Sequence, residues 1–322
     1  MSRHLCVVQD FLTVPHRMRI RETAAAADFI PHFFTSAEKE AAIDCLQTAE
    51  VLYAQIPELV RKAPALRWFA CSSAGVDVYC TDPSPFQNPD CILTNSNVYG
   101  VTIAEHVVMV SLMLLRRMTD YQAALQEHRW PAHVPIRSIR DGRFTILGTG
   151  NIGQNAARRL RGMGAARITG VSRSGRSTEG FDEVCPISQL DEVLSRTEFL
   201  IAALPGTPET VNLLDRRRIG LLPERAYLVN VGRGTVLDQA ALADALNSGH
   251  LAGAALDVFA QEPLPAEDPL WNAANVIITP HVSGDTTLGY TCDENVRLFC
   301  ENLARYGAGE PLHSVIDRRR GY

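Results

Sequence analysis

The sequence predicts an α/β protein made of two doubly wound, parallel-sheet units. Three observations carry that expectation. At 322 residues the chain is near the size at which a single hydrophobic core divides. Short apolar runs alternate with helical patterns in two successive series. A glycine turn of the form GxGxxG, at Gly148, Gly150 and Gly153, opens the second series.

In the first series "LCVVQD" (5–10), "VLYAQ" (51–55), "LRWFACSSAG" (66–75) and "CILTNS" (91–96) read as strands. The stretches between them, such as "SAEKEAAIDCLQTAE", read as amphipathic helices. From Thr102 to about Gln126 the pattern is one long helix, with Thr102 as its N-cap and Arg116 and Arg117 closing the apolar part. A polar, proline-containing stretch follows and leads into "RFTIL".

The second series continues with strands in "RITGVSR", "FLIAALP", "AYLVNVG", "AGAALDVF" and "VIITPHV", each preceded by a helical pattern. A last helix covers about 287–305, and the short tail after it is expected to pack back on the first unit. That makes the first unit discontinuous.

Bulk properties exclude several function classes. The chain is 46% hydrophobic and 21% charged, with a net charge of −5, which does not suit nonspecific nucleic-acid binding. The longest apolar run, around 107–115, is about half a membrane span, and the N-terminus has no secretory leader pattern, so a cytoplasmic protein is expected. Eight cysteines without a CxxC pair read as reduced thiols and offer no metal site. Neither lysine, Lys39 or Lys62, is near the glycine loop, so the loop is not a Walker-type phosphate cradle.

The glycine loop lies between a strand and an apolar-striped helix, the arrangement that binds a dinucleotide pyrophosphate. Gly148 permits the tight turn, Gly150 the close approach of backbone to phosphate, and Gly153 the packing of helix on strand. Asn151 and Ile152 should offer backbone N–H groups at the helix N-terminus. At the end of the next strand an acidic residue would hold the ribose hydroxyls, but Ser172 and Arg173 stand there, with Arg176 nearby. A guanidinium favours a 2′-phosphate, so NADP(H) is expected to be preferred, with NAD(H) possible. The alternative is that both arginines are solvated loop residues.

Three further residues fall at strand ends, where open α/β sheets bind ligands. Arg233 sits between two glycines in "LVNVGRGTVLD" and can clamp a carboxylate. Glu262 lies in a loop braked by Pro263 and Pro265, and His281 follows Pro280. A histidine beside a carboxylate suits general acid work at a carbonyl oxygen.

With "TILGTGNIG", "LPGTPET", "LVNVGRGTVLD", "ALDVFAQEPLP" and "ITPHVSG" in this order and spacing, the chain resembles the D-isomer-specific 2-hydroxyacid dehydrogenases over nearly its whole length. The resemblance implies a flavodoxin-like substrate domain at 1–98 plus 287–322 and a Rossmann cofactor domain at 99–286. It implies that hydride passes between nicotinamide C4 and the substrate α-carbon. His281 would then donate the proton, Glu262 would orient the imidazole, and Arg233 would hold the α-carboxylate and carbonyl oxygen. Pro205 and Thr207 would border the adenosine, with Val231 also against the cofactor. Asp257 would accept from the nicotinamide carboxamide, a structural role being the alternative.

The substrate's other wall is expected from the first unit. In "CSSAGVD" the N–H groups of Ser73, Ala74, Gly75 and Val76 can form a nest for the carboxylate, or simply make a turn. Tyr53 is a substrate contact or a packing residue. Trp130 and the helix before it match the segment through which family members form homodimers, an ordinary core aromatic being the alternative. No added regulatory domain of the kind many phosphoglycerate dehydrogenases carry is expected, and Glu262 stands in place of the glutamine of formate dehydrogenases.

Ser172 with Arg173 resembles the glyoxylate and hydroxypyruvate reductases, so reduction of a small 2-oxo acid is the leading expectation. The alternatives are an NAD-dependent dehydrogenase of a bulkier D-2-hydroxy acid and a dinucleotide-sensing protein like the corepressors of this fold.

Overall fold

The computed structural model describes residues 3–81 and 84–321. Its chain forms two compact units, Met1–Tyr99 with Asp285–Tyr322, and Gly100–Gly284.

The first unit runs β1 (Arg3–Val8), α1 (Val14–Ala26), β2 (Phe29–Phe34), α2 (Lys39–Leu46), β3 (Ala49–Ala54), α3 (Pro57–Arg61), β4 (Trp68–Cys71) and β5 (Ile92–Thr94). Its strands are all parallel in the order β2-β1-β3-β4-β5, the flavodoxin-like arrangement. Leu5 to Val8 are buried because β1 is an inner strand with both faces covered.

The second unit begins with α4 (Gly100–Leu115) and α5 (Met118–Gln126). It continues as β6 (Arg143–Leu147), α6 (Asn151–Gly162), β7 (Arg167–Ser172), β8 (Glu183–Pro186), α7 (Leu190–Leu194), β9 (Phe199–Ala202), α8 (Arg216–Leu221), β10 (Ala226–Asn230), α9 (Gln239–Asn247), β11 (Leu251–Leu256) and β12 (Val276–Ile278). The parallel order is β12-β11-β10-β9-β6-β7-β8, a Rossmann sheet with a seventh strand. Its topological switch point lies between β6 and β9, beside the glycine loop.

The chain then returns to the first unit as α10 (Gly289–Ala308). Val296, Phe299, Cys300 and Leu303 on α10 are buried with Leu5, Val7, Tyr53 and Trp68. Beyond α10, Asn95 donates to the Ser314 carbonyl and Ile316 to that of Leu93, so the tail lies along β5.

Two expectations about elements need correction. The helix from Thr102 to Gln126 is broken: Arg117 is left-handed, with φ 58°, between α4 and α5, and its guanidinium pairs with Asp120. Thr102 is not the N-cap, because α4 already starts at Gly100, where a side chain would strike Asn151. Strands β2 and β8 were not expected. Both are edge strands carrying a proline, Pro31 and Pro186, and an edge is where a sheet tolerates a residue that cannot donate.

Candidate active site

The glycine loop leaves β6 at Gly148, where φ is 98° and a Cβ would lie 2.6 Å from the Ala203 carbonyl oxygen. Gly153 is closer still, its Cβ position 2.0 Å from the carbonyl oxygen of Gly148. Gly150, the N-cap of α6, has nothing within 4 Å of its Cβ position. The two outer glycines are therefore required by the protein, while the middle one leaves open space for a ligand. Asn151 and Ile152 form the first turn of α6, whose buried face of Gly153, Ala156, Ala157 and Leu160 follows helical spacing. This cradle fits a dinucleotide pyrophosphate.

At the end of β7 the Ser172 hydroxyl accepts the Gly175 N–H at 3.1 Å and shapes the loop that exposes Arg173 and Arg176. After β9, Thr207 is buried and its N–H donates to the Thr210 hydroxyl, which donates in turn to the Pro205 carbonyl. Glu209 sits in this loop. Its own backbone N–H, the Thr207 hydroxyl and the Arg173 charge hold its carboxyl below the usual range. Val231 is buried after β10, its N–H donating to the Ala202 carbonyl.

Arg233 follows two residues later, half-buried, with a guanidinium N–H donated to the Gly232 carbonyl at 2.9 Å. Its neighbour Gly234 packs directly on the main chain of Phe259. The Phe259 N–H donates to Oε1 of Glu262 at 2.9 Å. The other oxygen, Oε2, lies 2.7 Å from Nδ1 of His281. A carboxylate only accepts, so Nδ1 carries a proton toward Glu262 and Nε2 is left for a reacting group. Both side chains remain partly exposed.

His281 is itself left-handed, with φ 54°, a conformation that costs a residue with a Cβ roughly 1–2 kcal/mol. The loop is held by Asp257, which is 1% exposed. Its carbonyl accepts the His281 N–H at 2.8 Å, and its carboxylate accepts from the Thr279 hydroxyl (2.6 Å), Val282 N–H (2.9 Å) and Ser283 N–H (3.0 Å). Burial opposes the ionised form, yet the Ser283 and Thr279 donors hold the Asp257 carboxyl below the aspartate range.

In the first unit, the loop after β4 is fixed by the Ser73 hydroxyl on Gln55 (3.1 Å) and by Asn95 on the Ala74 carbonyl (2.7 Å). Among the described residues, no acceptor meets the N–H groups of Ala74, Gly75 or Val76. Tyr53 is corrected to a core residue. It is 1% exposed, stacks on Phe299 with centroids 4.0 Å apart, and donates to Oδ1 of Asn295 at 3.0 Å. Trp130 is 98% exposed.

The arrangement is a histidine hydrogen-bonded to a carboxylate, an arginine one glycine away from that carboxylate's anchor, and a glycine cradle at the end of a strand of the same sheet. The family model for the D-isomer specific 2-hydroxyacid dehydrogenase, NAD binding domain, matches residues 108–283. The chain belongs to this family. As a D-2-hydroxyacid dehydrogenase it is an NAD(P)-dependent oxidoreductase. It is 38% identical to glyoxylate/hydroxypyruvate reductase A of Escherichia fergusonii over 225 residues, 69% of this chain and 70% of that one. It is similar to the crystal structure of a D-isomer specific 2-hydroxyacid dehydrogenase family protein from Aeromonas salmonicida, with TM-score 0.84, 34% identity and coverage of 99% and 100%. An NADPH-dependent glyoxylate/hydroxypyruvate reductase from Sinorhizobium meliloti, solved with NADP and sulfate, gives TM-score 0.81 and 29% identity over 99% of this dehydrogenase and 100% of that chain.

Sequence reasoning passed over His106 of α4, whose Nε2 lies 3.4 Å from the Thr279 hydroxyl. In the sequence it is only an imidazole at the head of an apolar run, which periodicity treats as noise. No helix among the described residues is long and apolar enough to cross a membrane.

Proposed function

We propose that this dehydrogenase reduces a small 2-oxo acid of the glyoxylate or hydroxypyruvate kind to the D-2-hydroxy acid, with NADPH the preferred reductant. The observation that carries the acid role is the 2.7 Å contact between His281 Nδ1 and Glu262. The names of the reductases to which the chain is similar support the substrate class, and the NADP in the Sinorhizobium meliloti structure supports the cofactor.

Gly148, Gly150 and Gly153, with the N–H groups of Asn151 and Ile152, would hold the pyrophosphate. Arg173 and Arg176 are proposed for the 2′-phosphate. A bound nicotinamide supplies the hydride. His281 delivers the proton from Nε2 to the carbonyl oxygen, while Glu262 keeps the ring oriented through Nδ1. Arg233 clamps the carboxylate and stabilises charge growing on the carbonyl oxygen. The free N–H groups of Ala74, Gly75 and Val76 make an anion nest in the first unit suited to the same kind of carboxylate. Asp257 serves chiefly to hold the loop of His281, because three donors already occupy its carboxylate.

The decisive experiment is a steady-state panel of glyoxylate, hydroxypyruvate, pyruvate and phenylpyruvate with NADPH and with NADH. Turnover of the two smallest oxo acids with NADPH is expected, and His281→Ala should lower kcat by about 10²- to 10⁴-fold. Reduction of none of the four, or an indifferent His281→Ala enzyme, rejects the proposal. We also propose that the protein is cytoplasmic, which cell fractionation tests, and a homodimer, which the 98% exposed Trp130 supports and mass measurement in solution tests.

A further inference from the structure

The catalytic histidine is reached from behind by a relay that no motif announces. Thr279 gives its hydroxyl proton to Oδ1 of Asp257 at 2.6 Å. The oxygen of that hydroxyl therefore accepts from His106 Nε2, 3.4 Å away, so the imidazole is the donor of the pair. Burial pushes His106 below the ordinary histidine range, with the Asp257 carboxylate acting the other way, and a neutral Nε2–H tautomer meets this demand. Asp257 then grips the Val282 and Ser283 N–H groups and, through its carbonyl, the N–H of His281.

Helix α4, which carries His106, is in turn fixed to the cofactor helix. Gly100 lies against Asn151, the first residue of α6, and Glu105 pairs with Arg159 of α6 at 3.6 Å. One helix thus touches both the turn proposed for the pyrophosphate and the loop that presents the proton donor.

We propose that Thr279 and His106 are positioning residues for the reaction: with Asp257 they hold the 279–283 loop so that His281 keeps its left-handed backbone and its contact with Glu262. This rests on the proposed role of His281 as the acid. Thr279 supplies a hydroxyl that donates to one side and accepts from the other, which valine cannot do and serine can. His106 supplies a donor that glutamine can replace and phenylalanine cannot.

The test compares Thr279→Val, Thr279→Ser, His106→Phe, His106→Gln and His281→Ala in the full-length enzyme, with kcat, the KM for NADPH, the melting temperature and the ¹⁵N-imidazole spectrum recorded for each. Thr279→Val is expected to lower kcat roughly 10- to 100-fold with the KM for NADPH unchanged, as small displacements of a reacting group do. The His281 Nδ1 signal should move away from its carboxylate-bonded position. Thr279→Ser and His106→Gln should recover most of both, and His106→Phe should follow Thr279→Val. If Thr279→Val does not fold, the two His106 variants decide. A normal kcat and His281 signal in Thr279→Val or His106→Phe, or losses that only track the melting temperature, overturns the inference. Should His281→Ala itself turn over normally, the proposed acid fails instead, and the imidazole spectrum still reports whether the relay holds the ring.

Discussion

A methyl group on Gly234 would lie 1.8 Å from the carbonyl carbon of Phe259 and 2.2 Å from its oxygen. The loop that carries Arg233 is thereby pressed onto the residue whose N–H anchors Glu262. Because both contacting partners are main chain, neither can rotate away. Gly234→Ala is expected to destabilise by about 3 kcal/mol, the upper part of the overpacking range, and to lose most turnover. A calorimetric melt and kcat at wild-type values would show that the two loops are not coupled.

Arg173, an exposed residue, is proposed to bind the 2′-phosphate. Removing one charge-assisted contact costs about 1.5–3 kcal/mol, so Arg173→Ala should raise the KM for NADPH roughly 10- to 100-fold and leave that for NADH nearly constant. An unaltered ratio of NADPH to NADH efficiency would remove this residue from 2′-phosphate recognition.

Tyr53 lends itself to a sharp distinction. Tyr53→Phe keeps the stack on Phe299 but strips Oδ1 of Asn295 of its donor, at a cost of about 1–2 kcal/mol. Stability measured by denaturant should fall by that amount with the KM for the oxo acid unchanged. A raised KM at constant stability would return the hydroxyl to substrate binding.

Asp257 predicts acid sensitivity in its loop. Its folded carboxyl is held below the usual range, whereas an unfolded aspartate titrates at about 3.9. A depressed folded value means the stabilisation is complete above the unfolded value and is lost as pH falls through the folded one. The melting-temperature gap between wild type and Asp257→Asn should therefore be widest above about pH 5 and narrow below about pH 4. A gap that stays constant as pH falls from about 5 to well below the unfolded value of about 3.9 would show that the carboxylate is not the stabilising form.

What could be read in the sequence and what could not divide along a physical line. The glycine turn, Arg233, Glu262 and His281 stand in short contiguous motifs at strand ends, and their local pattern is enough to propose a chemistry for them. The inner strands announce themselves as continuous apolar runs, as in β1 and β9. Edge strands β2 and β8 do not, because proline and solvent exposure blur their pattern. Nor does the break at Arg117, where a single left-handed residue interrupts a helical period that otherwise continues. Tyr53 was ambiguous because its partner Asn295 is 242 positions away. His106 was invisible for the same reason, since its meaning depends on Thr279.

The route of the chain through its first unit has a consequence for biosynthesis. Tyr53 and Trp68 are made early, yet Val296, Phe299 and Leu303, which cover them, emerge only after the whole of residues 100–284. On the ribosome the early sheet must wait with that face covered only in part, by Ile20 and Ala24 of α1, while the intervening unit is synthesised and becomes able to fold. The aromatic face of Tyr53 and Trp68 is then the surface most in need of a chaperone's protection, until α10 arrives.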